Sequence, residues 1–175
     1  MATKQSQANV LGTGVSFEFD AAWGAYWFAF IRVITGWWFF HAGITKIIES
    51  GFNYGYAPAF LKGMAGTSVG PFATWLAGQA WLLKPGVPLF ETLIGLGLML
   101  GALTRLAAFG GTFFMTLFWV GNAGFGHGLV TSNLLGLLLF LTMIVFATGR
   151  YYGLDAVIEK LDFVERHPRL RYLLG

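Results

Sequence analysis

Cysteine is absent from the 175 residues. The chain therefore has no disulfide, no thiolate nucleophile, no carrier for a covalent persulfide and no Cys-ligated iron–sulfur cluster of its own. Charge is almost as scarce. Asp, Glu, Lys and Arg make up 11% of the sequence, against about 25% in a soluble domain, so this surface is not built for water on every side. The formal net charge is +3, but only eleven Lys and Arg carry it. That is too thin a spread for a polyanion-binding patch, and nucleic acid is excluded as a partner. The first twenty residues are polar, with Lys4, Glu18 and Asp20. They lack the apolar run of a secretory leader, and no cleavage is expected.

Apolar residues, by contrast, reach 56% and aromatics 18%, with seven Trp and 25 Gly, and the mean hydropathy is +0.65. Aromatic belts and close-packing glycines are the habits of membrane helices. The expected fold is all-α: an integral membrane four-helix bundle, up-down-up-down. Its spans are expected at 23–48, 87–103, 106–120 and 129–148, each read as an apolar run near the length that crosses roughly 30 Å of hydrocarbon. The third is short and borrows Arg105 and Asn122 as interfacial anchors. Residues 1–22 form an N-terminal segment, 49–86 an outer loop and 149–175 a tail, all within one membrane domain.

Four spans place both termini and the Thr104-Arg105 hinge on one side. That side holds Lys4, Arg105, Arg150, Lys160, Arg166, Arg169 and Arg171, and the other holds Lys46, Lys62 and Lys84. The bias sets both termini in the cytoplasm of a prokaryotic cell, with Arg105 and Arg150 as topology markers. In the outer loop, Phe72, Trp75, Leu76, Leu82 and Leu83 line one side of a short interfacial helix over 71–83, which Pro85 and Pro88 are expected to end. In the tail, Leu154, Val157, Ile158 and Leu161 fall on one helical face, with Asp155, Glu159, Lys160 and Asp162 away from it. That pattern fits a helix resting on the inner membrane surface, or a docking site for a cytoplasmic partner.

A charge inside a span costs about 2.5–3.5 kcal/mol on insertion scales, so each needs a partner or a wet cavity. Arg32 lies about nine residues into the first span, roughly 13 Å deep, within snorkelling distance of the inner surface. Lys46, fourteen positions later, returns nearly to the same face, and Gly36 and Gly43 fall along that stripe, where small residues let a neighbouring helix approach. His41 points to another side at the same outer level. Glu91 lies on the order of 7 Å below the outer end of the second span, at the depth of His41 and Lys46. A cluster of Glu91, His41 and Lys46 is thus expected near the outer surface. It is either a salt bridge that fixes helix pairing or a site that handles protons or a ligand. Asn133, after Thr131 and Ser132, reaches toward it from the fourth span. His41 and His127 stand without metal-ligand spacing, and no metal site is expected.

Taken in order, these pieces resemble the DoxX/DoxD family of small four-helix membrane proteins. The resemblance runs from about Phe30 to Asp155. It rests on Arg32 with Gly36, Phe40-His41-Ala42-Gly43 with Lys46, and Glu91 with Gly95, Gly97 and Gly101. It continues through Thr104-Arg105-Leu106-Ala107-Ala108, Asn133-Leu134-Leu135, Gly149-Arg150-Tyr151 and Leu154-Asp155. The family includes the membrane subunit of a thiosulfate:quinone oxidoreductase, and the resemblance implies a subunit of a quinone-linked redox or respiratory complex. In that reading Glu91 and His41 exchange protons as catalytic groups, while Lys46, Arg32, Trp38 and Asn133 bind the ligand within a wall of Trp37, Trp38, Phe39 and Phe40. No cofactor is expected within the chain; quinone is the bound substrate. The partners are membrane lipid and either a redox subunit or a second copy of the chain. The competing reading is a non-catalytic accessory subunit of a larger membrane complex. A small-solute or proton pathway is opposed by the lack of polar residues continuing inward from Glu91, apart from Arg32.

Overall fold

The computed structural model describes residues 3–10, 13–122 and 128–175, with side chains over 22–122 and 128–175. From Ala21 onward every described secondary-structure element is helical. A two-stranded antiparallel hairpin precedes it: β1 (Thr3–Val10) pairs with β2 (Thr13–Asp20), setting Thr3 opposite Asp20 and Val10 opposite Thr13. The alternation in Val15-Ser16-Phe17-Glu18-Phe19-Asp20 has the period of a strand.

Four long helices follow in a bundle: α1 (Ala21–Ser50), α4 (Ala80–Leu100), α5 (Thr104–Gly121) and α6 (Ser132–Phe146). α1 packs on α4, α4 on α5, α5 on α6, and α6 back on α1. Between α1 and α4 the chain forms α2 (Tyr56–Gly63) and α3 (Gly70–Ala77), which cap one end of the bundle. After α6 come a 3-10 turn (Thr148–Arg150), α7 (Asp155–Ile158), α8 (Asp162–Arg166) and a last 3-10 turn (Pro168–Tyr172).

The bundle's core is Phe39, Ile94, Leu98, Ala108, Met115, Phe140 and Met143. A second core under the cap joins Ala57, Leu61, Met64, Ala73 and Ala77 to Leu83 and Leu117. The tightest seam lies between α1 and α4. A Cβ on Gly36 would stand 2.8 Å from the Gly95 carbonyl oxygen and the Met99 nitrogen. One on Gly43 would stand 2.7 Å from the Pro88 oxygen, and one on Gly95 would run into the Phe40 backbone. Backbones come this close only where neither helix carries a side chain.

Pro85 and Pro88 do not end a helix. Both lie inside α4, which starts at Ala80. The interfacial helix expected over 71–83 is therefore split at Gly78-Gln79, and Leu82 and Leu83 belong to the long helix. A proline withdraws one amide and frees the carbonyl four residues earlier. For Pro88 that carbonyl is Lys84's, and it accepts the Tyr54 N–H at 3.3 Å. The lost bond is replaced from the adjoining loop, so the helix survives its proline.

The bundle turns an apolar, aromatic outside to its surroundings: Trp23, Trp27, Phe30, Ile34 and Trp37 on α1, Leu89, Leu93 and Leu96 on α4, and Phe109 on α5 are all exposed. Among the described residues, α4 alone is both long and apolar enough to cross a membrane, and α6 is apolar but shorter.

Candidate functional site

Among the described residues, polar side chains gather at two places, one toward each end of the bundle, so Arg32 and Lys46 serve different sites despite sharing a helical stripe. The site near the cap is the ion pair of Lys46 on α1 with Glu91 on α4, in which the ammonium donates to Oε2. Gly43, one turn before Lys46, brings α4 close enough for a four-carbon stem to reach a carboxylate one turn beyond Val87. The Glu91 side chain is 7% exposed and Lys46 22%. Tyr54 lies over the pair, its ring 5.4 Å from Lys46 Nζ. Burial, then the Glu91 carboxylate, raise the Tyr54 phenol above its ordinary range, so it stays protonated at neutral pH.

This pair stands in the wall of a groove of about 920 Å³ between α4 and α5, roofed by α2 and α3. The lining is otherwise almost all carbon, including Tyr56, Phe60, Phe72, Phe90, Ile94, Phe113, Phe114 and Phe118. The groove runs from Leu82, beneath the cap, to Ala102, Leu103 and Leu106 at the hinge, close to the full length of α4, roughly 30 Å.

His41 does not join Glu91. It lies exposed against Trp37, with ring centroids 5.8 Å apart. Five positions from Lys46 amount to about 140° around the helix, which turns it from the groove. Trp38 lies over Gly136 of α6, where a built Cβ would stand 3.2 Å from its ring. Asn133 is half-buried in the first turn of α6, and neither it nor Trp38 lines the groove. His127 lies outside the described residues. Among the described residues, no group of His, Cys, Asp and Glu is placed to hold a metal ion.

The second site is the inner knot around Arg32, which is 1% exposed. Its Nη1 donates to the Thr148 carbonyl at 3.0 Å and its Nη2 to the Tyr152 carbonyl at 3.3 Å. Asp155, within its electrostatic reach, is fully buried. Asp155 Oδ1 accepts the Leu103 N–H at 2.7 Å; Oδ2 accepts those of Thr104 at 2.9 Å and Gly175 at 3.0 Å. A carboxylate thus caps the start of α5, where amides lack helical partners and the dipole is positive. Gly101 ends α4 at φ +65°, and any Cβ there would strike the Arg32 guanidinium.

The knot corrects the expectation for the tail. Asp155 is turned inward, while Leu154, Val157 and Leu161 are exposed. Residues 154–161 are not one helix: α7 ends at Ile158 and α8 begins at Asp162. Arg105 Nε donates to the Ile144 carbonyl at 3.2 Å, and Arg150 pairs with Glu159 at 2.8 Å. Tyr54 and the inward role of Asp155 are what the sequence reading missed. The signal for Asp155 was its place shortly after Gly149 and Gly153, whose missing side chains make room for Thr104 and Arg32.

The DoxX family model matches residues 27–122, more than half of the chain and all of α4 and α5. No curated protein matches the chain, and no solved structure does.

Proposed function

The chain belongs to the DoxX family, and from that premise we propose that it is a multi-pass membrane protein serving as the quinone-binding subunit of a redox complex. The observation that carries this reading is the Lys46–Glu91 pair, set with Tyr54 in the wall of a long and otherwise apolar groove. An apolar cleft with few convergent polar groups suits a small ring-headed ligand. The exposed aromatic shell supports a lipid setting, since so large an apolar surface is not left to water.

Quinone reduction takes up electrons and protons in equal number. The electrons are assigned to a partner subunit, and the protons to Glu91, which works in this reading without His41. Lys46 donates to a quinone oxygen, and Tyr54 shields the pair from water. Arg32 is withdrawn from the ligand set and holds the inner knot instead.

The test is quinone reduction by the complex extracted with its partners from native membranes, alongside its subunit composition. Glu91→Gln is expected to lower the rate on the order of a hundredfold with assembly unchanged. The accessory reading rests on the same pair as a tie between α1 and α4. It predicts instead that Glu91→Gln either leaves the rate alone or dissolves the assembly, and that in the second case the charge-free double variant Lys46→Gln/Glu91→Gln restores assembly and rate together.

A further inference from the structure

The shape and charge of the groove say more about its occupant than that it is apolar. We propose that the site selects a single-tailed amphiphile with an uncharged head: the head sits against the Lys46–Glu91 pair, and the tail runs toward Leu103 and Leu106. The inference rests on the groove being the ligand site of the preceding section, and adds the class of molecule it accepts.

Lys46 and Glu91 neutralise one another, so a charged head would arrive in a low-dielectric wall with no counter-ion, which is costly. Their bond uses one carboxylate oxygen and one ammonium proton. The other oxygen can accept and the other protons can donate, which complements a head carrying a hydroxyl or a carbonyl. Below the pair, α4 continues for roughly 15 Å from Glu91 to Gly101, with Ile94, Gly97 and Gly110 along the groove and no further polar side chain in its lining. That stretch offers nothing to a head group and suits a chain of methylenes, each worth burying.

Gly110 provides the means of testing the tail channel. A Cβ there meets only the Ile94 side-chain tip, at 2.9 Å, so Gly110→Phe narrows the channel about one helical turn below Glu91. Binding would be measured by equilibrium titration of the purified full chain in nanodiscs. The probes are a decyl-substituted quinone, the same ring without its tail, hexadecanol and ionised hexadecanoate. The decyl quinone is expected to bind on the order of a hundredfold more tightly than the bare ring. Hexadecanol should displace it, on the order of tenfold better than hexadecanoate. Gly110→Phe should erase the tail's advantage and leave the bare ring unchanged, and Leu106→Trp gives the same readout should the first variant melt early. Equal binding of tailed and bare rings, or preference for the fatty acid, overturns the inference while the quinone reading stands. Hexadecanol binding with no affinity for either quinone overturns the quinone reading while the inference stands.

Discussion

Asp155 carries three backbone amides on one carboxylate, with Arg32 behind it, in full burial. The tail before it is seated the same way: the Leu154 and Asp155 amides donate to the Leu100 and Gly101 carbonyls at 3.1 and 2.8 Å. Tyr152 stacks on Tyr26 with centroids 5.0 Å apart. Asp155→Ala strips the cap from α5 and leaves Arg32 without a countercharge. It is expected to cost about 3–5 kcal/mol, read as a lowered midpoint in thermal unfolding in detergent. Because Asp155 is the countercharge within reach of Arg32, adding Arg32→Met removes the stranded charge and should cost less than the sum of the single changes. A strictly additive double variant would mean that the two residues act apart. None of this was legible from helix-face counting, because the count assumed a continuous helix through residue 161 and so turned Asp155 to water. The distant pairing of a tail carboxylate with the α4–α5 hinge is a tertiary fact with no local period.

At the scale of elements, the α1–α4 seam is the feature the sequence announced most clearly. Gly36 and Gly43 share a stripe with Lys46, and a small-residue stripe on an apolar helix marks close approach. The Lys46–Glu91 pairing followed from matching depths on two antiparallel helices, a one-dimensional estimate that rise per residue supports. His41 failed the same estimate because depth alone ignores azimuth. The two prolines misled for another reason: a helix can continue through a proline when the freed carbonyl finds another donor, and for Pro88 the Tyr54 amide supplies one. The seam yields a paired prediction. Gly95→Val should force α1 and α4 apart and destabilise by about 3 kcal/mol or more, since overpacking against backbone cannot relax through rotamers. Gly63→Ala, with nothing within 4 Å of the added carbon, should stay within about 1 kcal/mol of the parent. Thermal unfolding of the two variants side by side checks the contrast, and equal losses would mean that the seam is loose.

For the whole molecule, the question is how a bundle of unequal helices meets a bilayer. α1 has 30 residues and α4 has 21, whereas α6 has only 15, about 22 Å of rise against a hydrocarbon layer of about 30 Å. α1 is interrupted by Arg32 and Lys46, but both are withdrawn from the surface by partners inside the bundle, so its exposed face is apolar and aromatic apart from His41 and, near its end, Glu49. The short α6 is extended at its C-terminal end by the turn Thr148–Arg150, and on the multi-pass reading local thinning of the lipid would accommodate the remaining mismatch at modest cost. On the multi-pass arrangement proposed above, the α2–α3 cap and the α7–α8 tail are expected on opposite sides of the membrane. The lack of native cysteine makes that directly measurable, because any introduced thiol is the only one. Lys62→Cys on the cap and Arg166→Cys on the tail both replace exposed residues. A membrane-impermeant maleimide applied to intact spheroplasts should label position 62 and reach position 166 only after permeabilisation. Labelling of both before permeabilisation would place cap and tail on the same side, and the bundle would then lie against the bilayer or cross it an even number of times between these two points.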